Sequence, residues 1–227
     1  GTVYGLQGKN GSGKTMLMRA ISGLIRPTSG RIVINGEQLH KNISIPRSIG
    51  LLLENPSLLP EYDASQNLKL LAKMQGGVPE DEIRQLIRDV GLEDAGHKKV
   101  EKYSLGMKQR LGIAAAILGS PDIILLDEPI NAIDGEGVEE IRSLILSLKN
   151  EKRIIIVACH DKEEMNLLAD EIVHLTPKPR GMLLTLLLSM LHTFWLRLTA
   201  SRPQGRFEKP RTEAEEPSDT PEDTEMK

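Results

Sequence analysis

Three groups of residues in this 227-residue chain have the types and spacing to do chemistry. The first is Gly8-Lys9-Asn10-Gly11-Ser12-Gly13-Lys14-Thr15, followed by Met16. Its glycines let successive backbone N–H groups turn inward around phosphate oxygens. Lys14 can neutralise β- or γ-phosphate charge, and the Thr15 hydroxyl is a hard oxygen suited to Mg²⁺. The second group is Asp127-Glu128 at the end of the apolar run Ile123-Ile124-Leu125-Leu126. Asp127 is expected to hold the Mg²⁺ shell, commonly through water, and Glu128 to polarise an attacking water. The third is Tyr103-Ser104-Leu105-Gly106-Met107-Lys108-Gln109-Arg110, a Ser and a Gly at a helix start, where free N–H groups favour an anion. Taken alone it reads as a capped helix. Its place between the other two groups gives it weight.

A phosphate loop needs a strand before it and a helix after it, and both are legible. Residues 3–7 form a short apolar run, and Leu17, Ile21 and Leu24 recur at i, i+4 and i+7 before Gly23 supplies a stop. Residues 31–34 read as a strand entering an Asn35-Gly36 hairpin turn. A second strand-like run, 49–53, ends at Glu54-Asn55-Pro56. Helical periodicity starts at Asn67. Pro79 fits a first helical turn, Ile83, Leu86, Ile87 and Val90 form one stripe, and Gly91 ends it. Further on, the pattern predicts a helix over 104–118, a strand over 123–126, a helix marked by Val138, Ile141, Ile145 and Leu148, and a β-branched strand over 154–158. Strands alternating with helices after a glycine-rich turn predict an α/β fold with a mostly parallel sheet. The all-helical stretch 62–119 reads as an insertion between two sheet strands.

Composition narrows the function. With 39% hydrophobic and 27% charged residues the chain reads as globular. A net charge of −3, with one Trp, three Tyr and two Phe, offers nucleic acid neither a basic field nor a stacking platform, so no nucleic-acid partner is expected. The lone Cys159 excludes an internal disulfide and a multi-Cys zinc site, and points to a reducing compartment.

In order and spacing the three groups resemble the ATP-binding cassette (ABC) ATPases, over residues 1–175. Ser104 and Gly106 match the Ser and second Gly of that family's signature, with Gln109-Arg110 following. Gly23-Leu24-Ile25-Arg26-Pro27-Thr28-Ser29-Gly30 looks like its linker to antiparallel strands, and Asn131-Ala132-Ile133-Asp134 like its D-loop. His160 looks like the switch histidine that contacts the γ-phosphate. The resemblance implies a P-loop NTPase fold with an incomplete antiparallel β layer and an inserted helical subdomain. It implies nucleotide contacts from the whole run Gly8 to Met16, with Ser104, Gly106 and Asp134 acting across a dimer interface. Catalysis falls to Glu128 and His160, and Mg²⁺ to Thr15, Glu54 and Asp127.

The family usually carries Gln where this chain has Glu54. That Glu, with Ser-Leu-Gly-Met at 104–107, looks similar to the branch serving bacitracin and bacteriocin self-protection exporters. The implied activity is hydrolysis of MgATP to drive an ABC transporter, here an exporter of peptide antibiotics or similar compounds. The implied setting is cytoplasmic and peripheral on the inner face of the cell membrane. Nothing before Leu175 reads as a span, so the partners are a separately encoded permease and a second ABC ATP-binding subunit, the same chain or a related one. Two alternatives stand beside this: a nucleotide-binding interaction protein or truncated remnant without turnover, and a soluble ABC protein outside transport.

Two departures remain. Family members carry an upstream strand with an adenine-stacking aromatic, whereas only residues 1–7 precede Gly8, so the chain reads as N-terminally truncated. Losing that stacking, about 1 kcal/mol, is expected to weaken nucleotide binding roughly five-fold. After Leu175 the likeness stops, and residues 176–227 form an atypical tail. Leu184, Leu187, Leu188, Leu191, Trp195 and Leu198 predict an amphipathic helix over 182–198, and residues 208–227 an acidic disordered end. Three readings of that helix stand: one packed on a partner or membrane surface, a non-native tail, or a true span.

Overall fold

The computed structural model describes residues 1–95 and 97–176. The expected helix over 182–198 and the acidic end lie outside them. The sheet grows around β1 (Thr2–Gln7), whose interior residues are all buried. β6 (Ile154–Ala158) and β7 (Glu171–His174) flank it in parallel. β5 (Ile123–Asp127) pairs with β6, and β4 (Ile49–Leu52) pairs with β5, giving the order β4-β5-β6-β1-β7 with every pairing parallel. A parallel sheet delivers all its C-terminal ends to one rim, where ligands bind in open α/β folds. The register aligns that rim. Asp127 lies opposite Ala158 and Ala158 opposite Leu6, so the residues that follow β1, β5 and β6 emerge side by side.

The predicted strands are present with small changes of boundary. β5 is buried at all five positions, as an unbroken apolar run requires. The expected strand over 31–34 shortens to β2 (Val33–Ile34), which pairs antiparallel with β3 (Glu37–Gln38). Asn35 and Gly36 turn between them with φ of 51° and 82°, the positive pair that a tight hairpin needs and that Asn and Gly adopt readily. This two-stranded hairpin is the small antiparallel layer. α1 (Lys14–Ile21) follows the phosphate loop and buries Leu17, Met18 and Ala20.

Three helices lie between β4 and β5, strands that pair directly, so the helical segment is an insertion. α2 (Ala64–Met74) starts with a full capping box. The Asp63 side chain accepts the Gln66 backbone N–H at 2.7 Å, and Gln66 Oε1 accepts the Asp63 N–H at 3.0 Å. α3 (Glu80–Asp89) opens with Glu80, Asp81 and Glu82, carries Arg88 in its last turn, and buries the predicted Ile83, Leu86, Ile87 and Val90 stripe. α4 (Leu105–Ile117) behaves differently. Leu111, Ile113, Ala114, Ala116 and Ile117 are buried around its whole circumference. From Leu111 onward the helix has no polar face and must be covered on all sides. α4 packs on β4 and β5 as well as on α2 and α3, so it is shared between the insertion and the sheet. One apolar cluster accordingly runs from Val3, Ile124 and Val157 in the sheet to Leu68 and Ile83 in the insertion.

α5 (Gly135–Ser147) carries the predicted Ile141 and Ile145 inward. Two elements near the end of the sheet region were not predicted: α6 (Lys162–Leu168) and β7. α6 is seven residues long and buries only Met165 and Leu168, while β7 is a four-residue edge strand. Neither is long enough to display a period. Asp161 starts α6 by accepting the N–H groups of Glu163 and Glu164. Among the described residues no helix is long and apolar enough to cross a membrane.

Candidate functional site

Four of the sheet's five strand ends, those of β4, β5, β6 and β1, contribute to one open cleft of ≈ 550 Å³. The loop from Asn10 to Met16 forms its floor. Glu54 and Asn55 follow β4, Asp127 and Glu128 follow β5, His160 follows β6, and Gln109 and Asn131 complete the lining. The loop is built by short local bonds. Ser12 N–H donates to Lys9 O at 2.9 Å, and the buried Lys14 ammonium donates to Gly8 O at 2.8 Å, which folds the chain around the space in front of α1. Gly13, at φ 99°, precedes the first turn of α1, so that helix directs its unpaired N–H groups into the cleft.

The site's polar atoms fit a magnesium–triphosphate group. Thr15 Oγ1 donates to Asp127 Oδ2 at 2.6 Å, which brings two hard oxygen ligands together at the loop's edge. Ser12 Oγ is buried with no hydrogen-bond partner among the described residues, a donor suited to an anionic oxygen. No cluster of three or more His, Cys, Asp or Glu side chains capable of holding a metal occurs among the described residues. A metal here therefore needs phosphate oxygens to complete its shell, as Mg²⁺ commonly does.

Glu128 stands at φ 51°, a conformation a Glu adopts only when its surroundings impose it. Three backbone-directed bonds do so: Glu128 N–H donates to Ala158 O at 2.8 Å, while Glu128 O accepts from Asn131 N–H at 3.1 Å and from Gln109 Nε2 at 2.8 Å. The carboxylate then turns toward His160. Its Oε1 lies 2.5 Å from His160 Nδ1, and its Oε2 accepts the His160 backbone N–H at 3.2 Å. The Nδ1 contact is a hydrogen bond only when that nitrogen carries a proton; otherwise Oε1 is left without a partner. Burial pushes the Glu128 carboxyl above its usual range and the neighbouring Asp127 adds to the effect, against opposing pulls from His160 and Lys14. Cys159, buried beside this pair, has its thiol pushed up to about 11, mainly by burial, so it stays protonated at neutral pH.

Other expected residues are placed elsewhere. Ser104 caps α4, its hydroxyl accepting the Met107 N–H at 3.2 Å, and Asp134 caps α5 by accepting the Gly137 N–H at 3.1 Å. Neither they nor Gly106 line the cleft of their own chain. Gly106 has a local duty as well. A Cβ there would lie 2.6 Å from Ala132 O, so only glycine lets α4 approach the 131–134 loop this closely. Glu54 lines the cleft, yet its carboxylate accepts from Arg19 Nη2 at 2.8 Å, a partner its spacing gave no hint of. Gln109, Asn55 and Asn131 also line the cleft without having been expected there. Gln109 stood inside a quoted motif, but its link to Glu128 spans a fold-back that periodicity does not encode.

Residues 1–131 match the family described as ABC transporter. The chain is 55% identical over 170 residues to an uncharacterized ABC transporter ATP-binding protein, YybJ, of Bacillus subtilis (strain 168), covering 75% of this chain and 78% of that one. It is 44% identical over 174 residues to the bacitracin transport ATP-binding protein BcrA of Bacillus licheniformis, covering 76% of this chain but only 57% of that relative's length. Among solved structures it resembles the ATP-binding cassette MJ0796 in a dimeric post-hydrolysis state bound to ADP and Pi. That likeness has a TM-score of 0.69 and 26% identity, and covers 78% of this chain and 82% of the other.

Proposed function

This chain belongs to the ABC transporter family, and on that premise we propose that it binds MgATP in the rim cleft and hydrolyses it to drive a membrane permease encoded on another chain. The observation that carries the reading is the convergence of Thr15–Asp127 and Glu128–His160 on one phosphate loop. In this scheme the loop N–H groups and Lys14 hold the β- and γ-phosphates and stabilise the charge that builds on the β-phosphate as water attacks the γ-phosphorus and the β–γ bridging bond breaks to release ADP. Thr15 Oγ1 and Asp127 Oδ2 would hold Mg²⁺, which when bound would neutralise negative charge on the phosphates. Glu54 would join that shell through the carboxylate oxygen that Arg19 does not engage. The Glu128 carboxylate takes the proton from the attacking water, and its raised proton affinity suits an acceptor. His160, fixed beside it, contacts the γ-phosphate.

Ser104, Gly106 and Asp134 close the cleft of a second copy or a related subunit, which accounts for their position outside their own. The resemblance to BcrA, a bacitracin transport ATP-binding protein, supports a peptide antibiotic or similar compound as the exported molecule, and an ATPase docked on a permease would work on the cytoplasmic face of the membrane. The test is steady-state ATP turnover of the full chain. Glu128→Gln is expected to slow turnover by about 10²- to 10⁴-fold with nucleotide affinity retained. Lys14→Ala is expected to lose nucleotide binding. A parent chain without turnover at saturating MgATP, or a Glu128→Gln chain as fast as the parent, overturns the proposal.

A further inference from the structure

We propose that Gln109 is a positioning residue for Glu128, its side-chain amide fixing the constrained backbone turn that directs the Glu128 carboxylate into the cleft. The proposal rests on Glu128 acting as the proton acceptor described above. Gln109 is on α4, and 6% of its surface is exposed. Its Nε2 donates at 2.8 Å to the carbonyl of a residue nineteen positions away that stands at φ 51°. A long polar side chain buried at the base of a reactive cleft needs a reason. Satisfying the Glu128 carbonyl is not sufficient reason, because Asn131 N–H already donates to that oxygen. What the second donor adds is direction. The Asn131 bond closes a local turn that can tilt as a unit, while the Gln109 bond ties the turn to a helix whose C-terminal half is buried on all sides.

The next residue strengthens the tie. Arg110 donates to Val90 O at 2.9 Å and to Glu140 at 2.8 Å, joining α4 to the end of α3 and to α5. A shift of α4 relative to the sheet would therefore be transmitted through Gln109 to the Glu128 turn. The fold thus couples the inserted helices to the aim of one carboxylate.

The experiment uses three substitutions in the full chain and a double-mutant cycle. Gln109→Met keeps length and removes the donor. Gln109→Glu keeps shape but, when ionised, offers only acceptors. Gln109→His restores an N–H at about the same reach. Met and Glu are expected to lower kcat by about 10- to 100-fold, since small misplacements of a reacting group cost that much. KM and the affinity for a fluorescent ATP analogue should stay within two-fold, and His should recover most of the lost rate. In the Glu128→Gln background, Gln109→Met is expected to slow residual single-turnover hydrolysis no further, because the group it aims is gone. An equal proportional loss in both backgrounds would make Gln109 merely structural and overturn the proposal. Weakened nucleotide affinity in step with kcat would make it a ligand contact and overturn it too. Full turnover in Glu128→Gln alone would remove the assignment of Glu128 as well, an outcome distinct from either.

Discussion

In the proposed scheme the chemistry concentrates on Glu128, which the fold holds in a backbone conformation and an electrostatic setting that a free glutamate avoids. Its carboxyl is raised above the usual 4.5 by burial, with Asp127 next to it. A group raised in the folded state contributes full stability below its unfolded pKa and loses that contribution as pH rises through the folded value. Where it is ionised, Glu128 is therefore a burden on the folded protein, as reactive groups often are. Glu128→Gln removes the charge with little change of shape. The nucleotide-free variant should melt above the parent at pH 7.5, with the gap closing as pH falls toward 4. A variant that melts at or below the parent at pH 7.5 would show that the His160 contact outweighs burial. Glu54 presents a milder case. Its ion pair with Arg19 is largely exposed and contributes little to stability. The interest of the pair is position: Arg19 engages Oε1 of this carboxylate, so a metal would meet it through the other oxygen.

At the scale of elements, α4 decides how the site is assembled. It begins at Ser104, covers β4 and β5, and sends Gln109 to one carboxylate turn and Arg110 to α3 and α5. Gly106 lets its first turn sit against Ala132, which gives this glycine an intrachain role. Gly106→Val should lower the thermal midpoint of the nucleotide-free monomer by several degrees, the cost of pushing a packed backbone aside in a domain of this size. A midpoint unchanged within error would leave the glycine with an interface role alone. Much of this architecture was legible beforehand. The Asn35-Gly36 turn, the α3 stripe and the buried β5 run each carry a local signal that packing reinforces. α6 and β7 carry none, because seven polar-faced residues and a four-residue edge strand are defined by what they lie against.

For the whole molecule, one parallel sheet brings four strand ends to a single rim, while Ser104, Gly106 and Asp134 stay outside the cleft. A second chain that supplies those residues would bury the nucleotide between two copies, making ATP part of the interface. Under MgATP, Glu128→Gln should accumulate as a dimer by light scattering, because slow hydrolysis preserves the bridging nucleotide. The parent should remain largely monomeric, and Lys14→Ala should stay monomeric at every ATP concentration. A dimer of equal strength in Lys14→Ala would mean that association does not depend on the bound nucleotide.

The sequence by itself determined the reactive residue types, their order and the elements that bear them. Phosphate-loop spacing, a carboxylate pair after an apolar run and helical periods are local properties written in neighbouring positions. Tertiary structure alone decided which of those residues meet. Thr15 reaches Asp127 across 112 positions, and His160 reaches Glu128 across 32, because parallel register aligns the strand ends. It also decided that Arg19 holds Glu54 and that Gln109 turns back to the Glu128 carbonyl. Such contacts depend on how a helix rotates and how closely it packs on a sheet. Those are fixed by the volume and fit of many distant side chains acting together, and no short window of sequence contains them.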